Sequence, residues 1–147
     1  MGDKISASEQ KSVFLDIKEW LYKVLDPSIQ ISVADMSRTE CLAIVPAKGI
    51  RRHKLYACGG YEVYLPFSIY YRCIADDDKT TTDVLDLLDG IGIKLEKNGT
   101  DDVPALTLSG SREVLESYQD MTAIKYKQSG TACDFTASYI LIYSREE

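Results

Sequence analysis

The chain has 147 residues and a formal net charge of −6; 45% of its residues are hydrophobic and 27% are charged. This length and balance predict a single globular domain over residues 1–147 and exclude a largely disordered chain. No uncharged stretch reaches the roughly 18 apolar residues of a membrane helix, and the N-terminal residues lack the apolar core of a secretory signal, so we expect synthesis in the cytoplasm and no membrane partner.

Charge is distributed unevenly along the chain. Residues 1–75 contain ten Lys and Arg against eight Asp and Glu, whereas residues 76–147 contain seven against fifteen. A uniformly basic surface of the kind that binds nucleic acid is therefore not expected. The acidic residues are concentrated at Asp76–Lys79, Asp83–Asp89 and Glu96–Asp102. Such runs are typical of solvated loops and of a solvated helix face.

The first predicted element is an amphipathic helix over residues 8–25. Apolar residues recur there at spacings of three and four, and Ser6 with Glu9 fits the capping-box pattern that begins a helix. Asp26 and Pro27 end it, because the residue before a proline disfavours the helical conformation.

Two short strands and an exposed loop are predicted next. The apolar segments Ile29–Ala34 and Cys41–Ala47 indicate the strands. The basic run Arg51–Lys54 is interpreted as a solvated loop, with contact to a phosphate or an acidic partner as the alternative.

The strongest pattern is the alternation over Tyr61–Ile74. The odd-numbered positions from Tyr61 to Cys73 are apolar and most even-numbered positions are polar, so the odd-numbered face is predicted to be core. At about 3.3 Å per residue the strand would extend roughly 45 Å, so it either bends or projects beyond its own core. Pro66 predicts a sheet edge or a bulge, because proline has no N–H for the ladder.

A short helix and further strands are predicted after the acidic loop. Thr80–Thr82 offer caps for a helix through Leu88 that Gly90 stops. Residues 93–102 then indicate a strand and a turn, and residues 103–109 another short strand. Residues 111–120 fit either a single helical turn or irregular chain.

The chain ends with a predicted hairpin. Residues 121–127 and 131–143 are the two strands, with Gly130 in the turn. The second face of the last strand becomes apolar at Ile140 and Ile142, so we expect a helix or another subunit to cover these two residues.

The sequence offers no motif for catalysis or for a cofactor. Cys58 and His53 are the only histidine-based nucleophile pair, and their five-residue separation places them on opposite faces of a strand. The four cysteines form no CxxC pair and are predicted to be buried free thiols. Glycine-rich phosphate motifs are missing, and Asp76–Asp78 lack the spacing of a calcium loop. We therefore expect no enzyme activity, no cofactor and no metal.

The order of these elements resembles that of the tail terminator (tail-completion) proteins of long-tailed bacteriophages and phage-tail-like particles, often labelled minor capsid proteins. At residue level the resemblance rests on Tyr61–Ile74, which is similar to the family's aromatic-rich strand ending in a Tyr–Arg pair, here Tyr71 and Arg72. It also rests on the residues that open the last strand, 130–132. In layout it covers most of the chain.

The resemblance implies an α/β (α+β) fold, with an N-terminal amphipathic helix and a second short helix packed on an antiparallel or mixed sheet of about five to seven strands. It also implies a structural virion protein, assembled in the host cytoplasm as a hexameric ring. Such a ring caps the head-proximal end of the tail tube, stops tube growth and joins the head-tail connector protein. Genomic DNA passes through it without sequence-specific binding.

The alternatives are another joining part of the virion, such as a head-closure or connector protein or a tail tube subunit, and a small cytosolic binding module or enzyme. Two sets of residues are candidates for the contacts of a ring subunit. The candidates for a subunit or partner interface are Arg51, Arg52, His53, Lys54, Tyr64, Tyr70, Arg72, Ile140 and Ile142. The candidates for a DNA-facing lumen, where carboxylates repel phosphates, are Asp76, Asp77, Asp78, Asp101 and Asp102.

Overall fold

A computed structural model describes residues 4–26, 28–33, 40–74, 77–100, 102–130 and 132–146 of the chain. These residues form an α+β fold with two helices and a mixed sheet of six strands, which confirms the expected fold class. The elements in chain order are α1 (Ala7–Val24), β1 (Ile31–Val33), β2 (Cys41–Pro46), β3 (Arg51–Leu55), β4 (Tyr61–Ile74), α2 (Asp78–Glu96), β5 (Arg112–Ser129) and β6 (Ala132–Arg145).

The long strand β4 is the central strand of the sheet. The strand order is β1-β2-β4-β6-β5, and β3 also pairs with β4. Strands β1 and β2 are parallel, and every other pair is antiparallel. β4 pairs with β6 along its whole length, from Tyr61 opposite Arg145 to Ile74 opposite Ala132. On its other side, β4 pairs first with β3 and then with β2.

Pro66 lies where the neighbour of β4 changes. The pairing with β3 ends at Tyr64, and the pairing with β2 begins at Phe67. The Pro66 carbonyl accepts a hydrogen bond of 3.1 Å from the Ala47 N–H. The N–H and C=O of one strand residue point to the same side of the strand. The position at which Pro66 lacks an N–H therefore faces the gap between β2 and β3, where no ladder hydrogen bond is lost. The expectation of an edge strand or a bulge was therefore wrong, and the β4–β6 ladder continues past Pro66 without a bulge.

The core lies between both helices and one face of the sheet, which we call the core face. The odd-numbered residues from Tyr61 to Cys73 are buried, as predicted. The Phe14 ring of α1 meets Phe67 edge-on at 6.2 Å between centroids, and Phe67 stacks on Tyr139 at 5.4 Å. The Tyr139 hydroxyl donates to the Leu88 carbonyl of α2 at 2.7 Å. Both helices therefore pack on the same face.

Helix α1 begins and ends close to the predicted residues. Ser6 Oγ accepts a hydrogen bond of 3.0 Å from the Glu9 N–H, and the helix ends at Val24. Trp20 is buried, and its indole Nε1 donates to the Pro104 carbonyl at 2.8 Å. This bond ties α1 to the segment between α2 and β5.

Helix α2 is longer than predicted and has a different cap. Asp77, rather than Thr80–Thr82, is the N-cap, and its carboxylate accepts from the Thr80 N–H at 2.6 Å. The helix continues through Gly90 and Gly92 to Glu96. Although a glycine inside a helix costs roughly 1 kcal/mol, Gly92 is buried where any side chain would meet Gln119 of β5. Close packing of α2 on β5 therefore explains Gly92, and the strand predicted within residues 93–102 is wrong.

Three further predictions are corrected by the strand pairing. The run Arg51–Lys54 is part of β3 rather than a loop, because it pairs with the half of β4 that β2 leaves free. Residues 104–108 form no strand. Residues 112–120 are the first half of β5, where register irregularities conceal the alternation. The predicted hairpin turn is confirmed, with Gly130 at φ 64° between β5 and β6.

Candidate functional site

The second face of the sheet, which we call the outer face, lies opposite both helices. It is formed by the even-numbered residues of β4 and β6, since alternate side chains of a strand point to opposite faces. In β4 these residues are Glu62, Tyr64, Pro66, Ser68, Tyr70 and Arg72, and in β6 they are Asp134, Thr136, Ser138, Ile140, Ile142 and Ser144. A sheet face without a helix is available for contact with another protein.

The structure brings the interface candidates together on the outer face, with one exception. The Arg51 guanidinium lies over the Tyr64 ring at 4.5 Å from its centroid, and His53 Nε2 lies 3.4 Å from Glu62 Oε1. Arg52 instead lies over the Tyr61 ring of the core face, at 3.9 Å. The alternation of β3 explains this separation, because Arg51 and Arg52 are adjacent and point to opposite faces.

Ile140 and Ile142 differ in burial. Ile140 is only 1% exposed, and its cross-strand neighbours on the outer face are Pro66 and Tyr118. Of the two expected covers, a helix or another subunit, no described helix lies on this face, because both helices pack on the core face; neighbouring strands bury Ile140. Ile142 is half-buried, and its contact with another subunit stays a prediction.

Exposed apolar side chains extend the outer face along β5. Met121, Ile124 and Tyr126 are 37%, 46% and 59% exposed. Met121 pairs with Ser138, and the Tyr126 ring meets Tyr70 edge-on at 5.6 Å. Apolar residues that lie together on a surface mark a contact site more often than scattered ones do. Tyr70, Met121, Ile124 and Tyr126 thus form a partly exposed apolar cluster on the outer face.

Arg72 carries a charge that the chain itself neutralises. Its Nε and Nη2 donate to the two carboxylate oxygens of Asp134 at 2.7 and 2.9 Å. This hydrogen-bonded pair raises the pKa of Arg72. The bidentate geometry fixes β4 against β6 at the outer face.

A second polar cluster surrounds Glu62 at the β3 end of the outer face. Tyr56 donates its hydroxyl proton to Glu62 Oε2 at 2.5 Å, and Lys54 Nζ lies 3.8 Å from the same oxygen. The Tyr56 hydrogen bond and the nearby Lys54 and His53 lower the pKa of Glu62. The same hydrogen bond raises the pKa of Tyr56 to about 12. Glu62 is therefore ionised at neutral pH.

The three acidic lumen candidates that the structure describes do not form one cluster. Asp77 caps the start of α2, where hydrogen bonds from Thr80 lower its pKa, and Asp78 is exposed in the first turn. Asp102 is exposed beyond the other end of the helix, whose 19 residues extend roughly 28 Å. Asp76 and Asp101 lie outside the described residues.

The buried carboxylate of Glu9 joins α1 to the sheet. From the sequence, Glu9 was predicted only to be part of the helix cap. Glu9 accepts hydrogen bonds from the hydroxyls of Tyr61 and Tyr143 at 2.6 and 2.7 Å, and Arg145 Nη1 lies 2.9 Å from it. Burial alone would raise the pKa of Glu9, but these three partners outweigh it and lower the pKa. The cluster shows why a charged residue lies on the apolar face of α1.

The thiols do not form a reactive site with His53. None of the four cysteines, all of which lie within the described residues, forms a disulfide. Three are buried as predicted, but Cys58 is exposed in the turn between β3 and β4, so the prediction was wrong for this residue. Among the described residues, no group of His, Cys, Asp and Glu is placed to hold a metal ion. No helix in this part of the chain is long and apolar enough to cross a membrane.

No model of a known protein family matches this chain, and no curated protein matches it in sequence.

Proposed function

We propose that the protein is a structural subunit of the tail terminator type, which forms a hexameric ring on the head-proximal end of a phage tail tube. The observation that carries this proposal is the outer face, where exposed apolar residues lie beside aromatic and basic ones and no described helix packs. A subunit of a closed ring needs surfaces of this kind, because it contacts two neighbours and also the tube below.

The charge of the chain fits a ring that DNA passes through. The formal net charge of −6 disfavours lasting binding of a phosphate backbone. Exposed carboxylates at both ends of α2 permit an acidic lumen, provided that this helix faces the ring axis. The ring then stops tube growth and offers its other side to the connector.

The test is native mass spectrometry of the purified protein, combined with electron microscopy of tail-tube protein polymerised in its presence. We expect a six-fold species and tubes that carry a ring at one end and stop growing. The variant Ile124→Ser with Tyr126→Ser should lose tube capping while it remains folded, because both side chains are exposed. Ile93→Ser, an exposed apolar residue of α2, is the matched control and should cap tubes normally. Tubes that grow uncapped in excess wild-type protein would refute the proposal.

A further inference from the structure

The two lateral edges of the sheet carry opposite charges. On one side, β3 pairs only with β4 among the described strands and exposes Arg51 and Lys54. On the other side, β5 pairs only with β6 and exposes Glu113 and Glu116. Arg51, Glu113 and Glu116 have no ion-pair partner among the described residues, and Lys54 is only 3.8 Å from Glu62 while its side chain is 63% exposed.

These opposite charges lie at the same level of the sheet. Reading across the strands, Lys54 is opposite Glu62, Glu62 is opposite Ser144, and Ser144 is opposite Glu113. A second row leads in the same way from Arg51 to Glu116. Each row crosses four strands, so its ends are roughly 14 Å apart at the usual spacing of about 4.8 Å.

The strand directions allow a second copy to lie beside the β5 edge. β3 is antiparallel to β4, β4 to β6, and β6 to β5, so β3 and β5 run in opposite directions. A copy placed beside the first in the same orientation therefore brings its β3 next to β5 with antiparallel order. Because the charges lie at one level, this placement needs no shift along the strands. The absence of a shift along the strands is one condition for a closed ring, and a rotation between neighbours that adds up to a full turn is the other.

The β5 edge also has room for the side chains of a neighbour. A groove of about 600 Å³ lies between this edge and the segment at residues 105–108. Its lining includes Glu96, Glu113 and Glu116, with Arg112 as the one cation. The Arg112 Nη1 donates to Ser12 Oγ and to the Ser109 carbonyl, within the chain. With three carboxylates against one guanidinium, the lining of the groove has an excess of negative charge.

We propose that the β3 edge of one copy docks on the β5 edge of the next, with Arg51 and Lys54 facing Glu113, Glu116 and the groove beside them. The contact is heterologous, because each copy binds one neighbour through its β3 edge and the other neighbour through its β5 edge. Side chains rather than a continuous backbone ladder make it, because the register of β5 is irregular between Val114 and Glu116. This inference rests on the ring of the proposed function and names the surfaces that close it.

The test reverses the charge of each edge in turn. The first variant is Arg51→Glu with Lys54→Glu, and the second is Glu113→Lys with Glu116→Lys. Each alone brings like charges together, and we expect its self-association constant to fall by roughly tenfold to several hundredfold, because an exposed ion pair changes an equilibrium by up to about fivefold and reversal also adds repulsion. Sedimentation velocity at low and high salt measures this change: salt should weaken the wild-type association and reduce the repulsion between copies of each variant.

Mixing the two variants distinguishes the edge contact from a general effect of charge. The acidic β3 edge of the first variant matches the basic β5 edge of the second, and their other two edges match as in the wild type. The mixture should therefore associate as strongly as the wild type. The complexes should contain equal numbers of both chains, which native mass spectrometry measures. Lys11→Glu with Lys79→Glu, on exposed helix positions, changes the net charge as much as the first variant does and is its control; it should associate as the wild type does.

The contact would be overturned by self-association of either variant at wild-type strength, or by a mixture that stays dissociated while both chains are folded by circular dichroism. A wild type that remains monomeric at low salt and high concentration would overturn it as well. Tube capping by the wild type is measured separately. If capping persists after any of these results, the edge contact fails and the proposed function stands.

Discussion

Replacing Glu9 tests whether the buried cluster at the start of α1 stabilises the fold. The Glu9 side chain is 3% exposed, and it accepts hydrogen bonds from two tyrosine hydroxyls and from Arg145. Glu9→Ala would leave the hydroxyls of Tyr61 and Tyr143 without their acceptor and Arg145 without its counter-ion. Removing one partner of a buried ion pair costs about 3–5 kcal/mol.

Several details place the expected loss within that range. Each hydroxyl that loses its acceptor costs about 1–2 kcal/mol. Arg145 contributes less, because its side chain is 40% exposed and water replaces the lost contact. The loss should therefore lie near the lower end, about 3 kcal/mol, which corresponds to a fall in Tm of roughly 10 °C for a domain of this size. Glu9→Gln retains one acceptor oxygen and should lose about half as much.

The assay is urea unfolding followed by fluorescence of the single buried tryptophan, Trp20. Glu19→Ala, an exposed glutamate of the same helix, is the matched control and should change the free energy of unfolding by less than about 0.5 kcal/mol. The reasoning fails if Glu9→Ala is no more destabilising than Glu19→Ala.

The same variants make a prediction about pH. The folded-state pKa of Glu9 lies below its ordinary value of 4.5. A carboxylate with a lowered pKa stabilises the fold above its unfolded-state pKa, and this contribution is lost as the pH falls through the folded-state pKa. The stability difference between the wild type and Glu9→Gln should therefore be constant from pH 7 to about 5 and shrink below that.

Two further predictions concern a glycine pair and the thiols. Gly92→Ala should lower the free energy of unfolding by about 1–3 kcal/mol in urea titrations, because its Cβ would collide with Gln119, which is held by Asp89. Gly90→Ala, which meets nothing within 4 Å, should instead stabilise the protein by about 0.5–1 kcal/mol; the same sign for both changes would contradict the packing argument. In the native protein a thiol reagent should modify Cys58 rapidly and the three buried cysteines only after unfolding. Cys58→Ser should abolish this rapid phase and leave tube capping unchanged.

Sequence reasoning succeeded where a segment has one unbroken period and one buried face. The helix over residues 8–25 and the strand Tyr61–Ile74 meet this condition, and both are found within a residue or two of the predicted bounds. β5 does not meet it, because its four register irregularities repeatedly reverse which residues face the core. The helical pattern of α2 extends past Gly90 and Gly92, but the reason for Gly92 is a contact with Gln119, which is distant in the sequence.

The candidate site shows the same limit. Tyr64, Tyr70 and Arg72 could be assigned to one face from the alternation alone. The strand at Arg51–Lys54 could not be predicted from the sequence, because both of its faces carry charged residues and no apolar alternation is seen. It forms a strand because it pairs with the part of β4 that β2 leaves unpaired. The opposite charges of the two sheet edges emerge only when four strands are aligned.

The central pairing of β4 with β6 has a consequence for how the chain folds. Arg72 and Asp134 are 62 positions apart in the chain, and Tyr61 and Arg145 are 84 apart. Pairings between such distant segments slow folding, because a long loop must close before the ladder stabilises it. β6 also lies between β4 and β5 in the sheet. Before β6 has paired with β4, the basic edge at β3 and the acidic edge at β5 therefore have no fixed position relative to each other. In the proposed edge contact, folding would therefore have to precede association, because both edges take their places only after β6 has paired with β4.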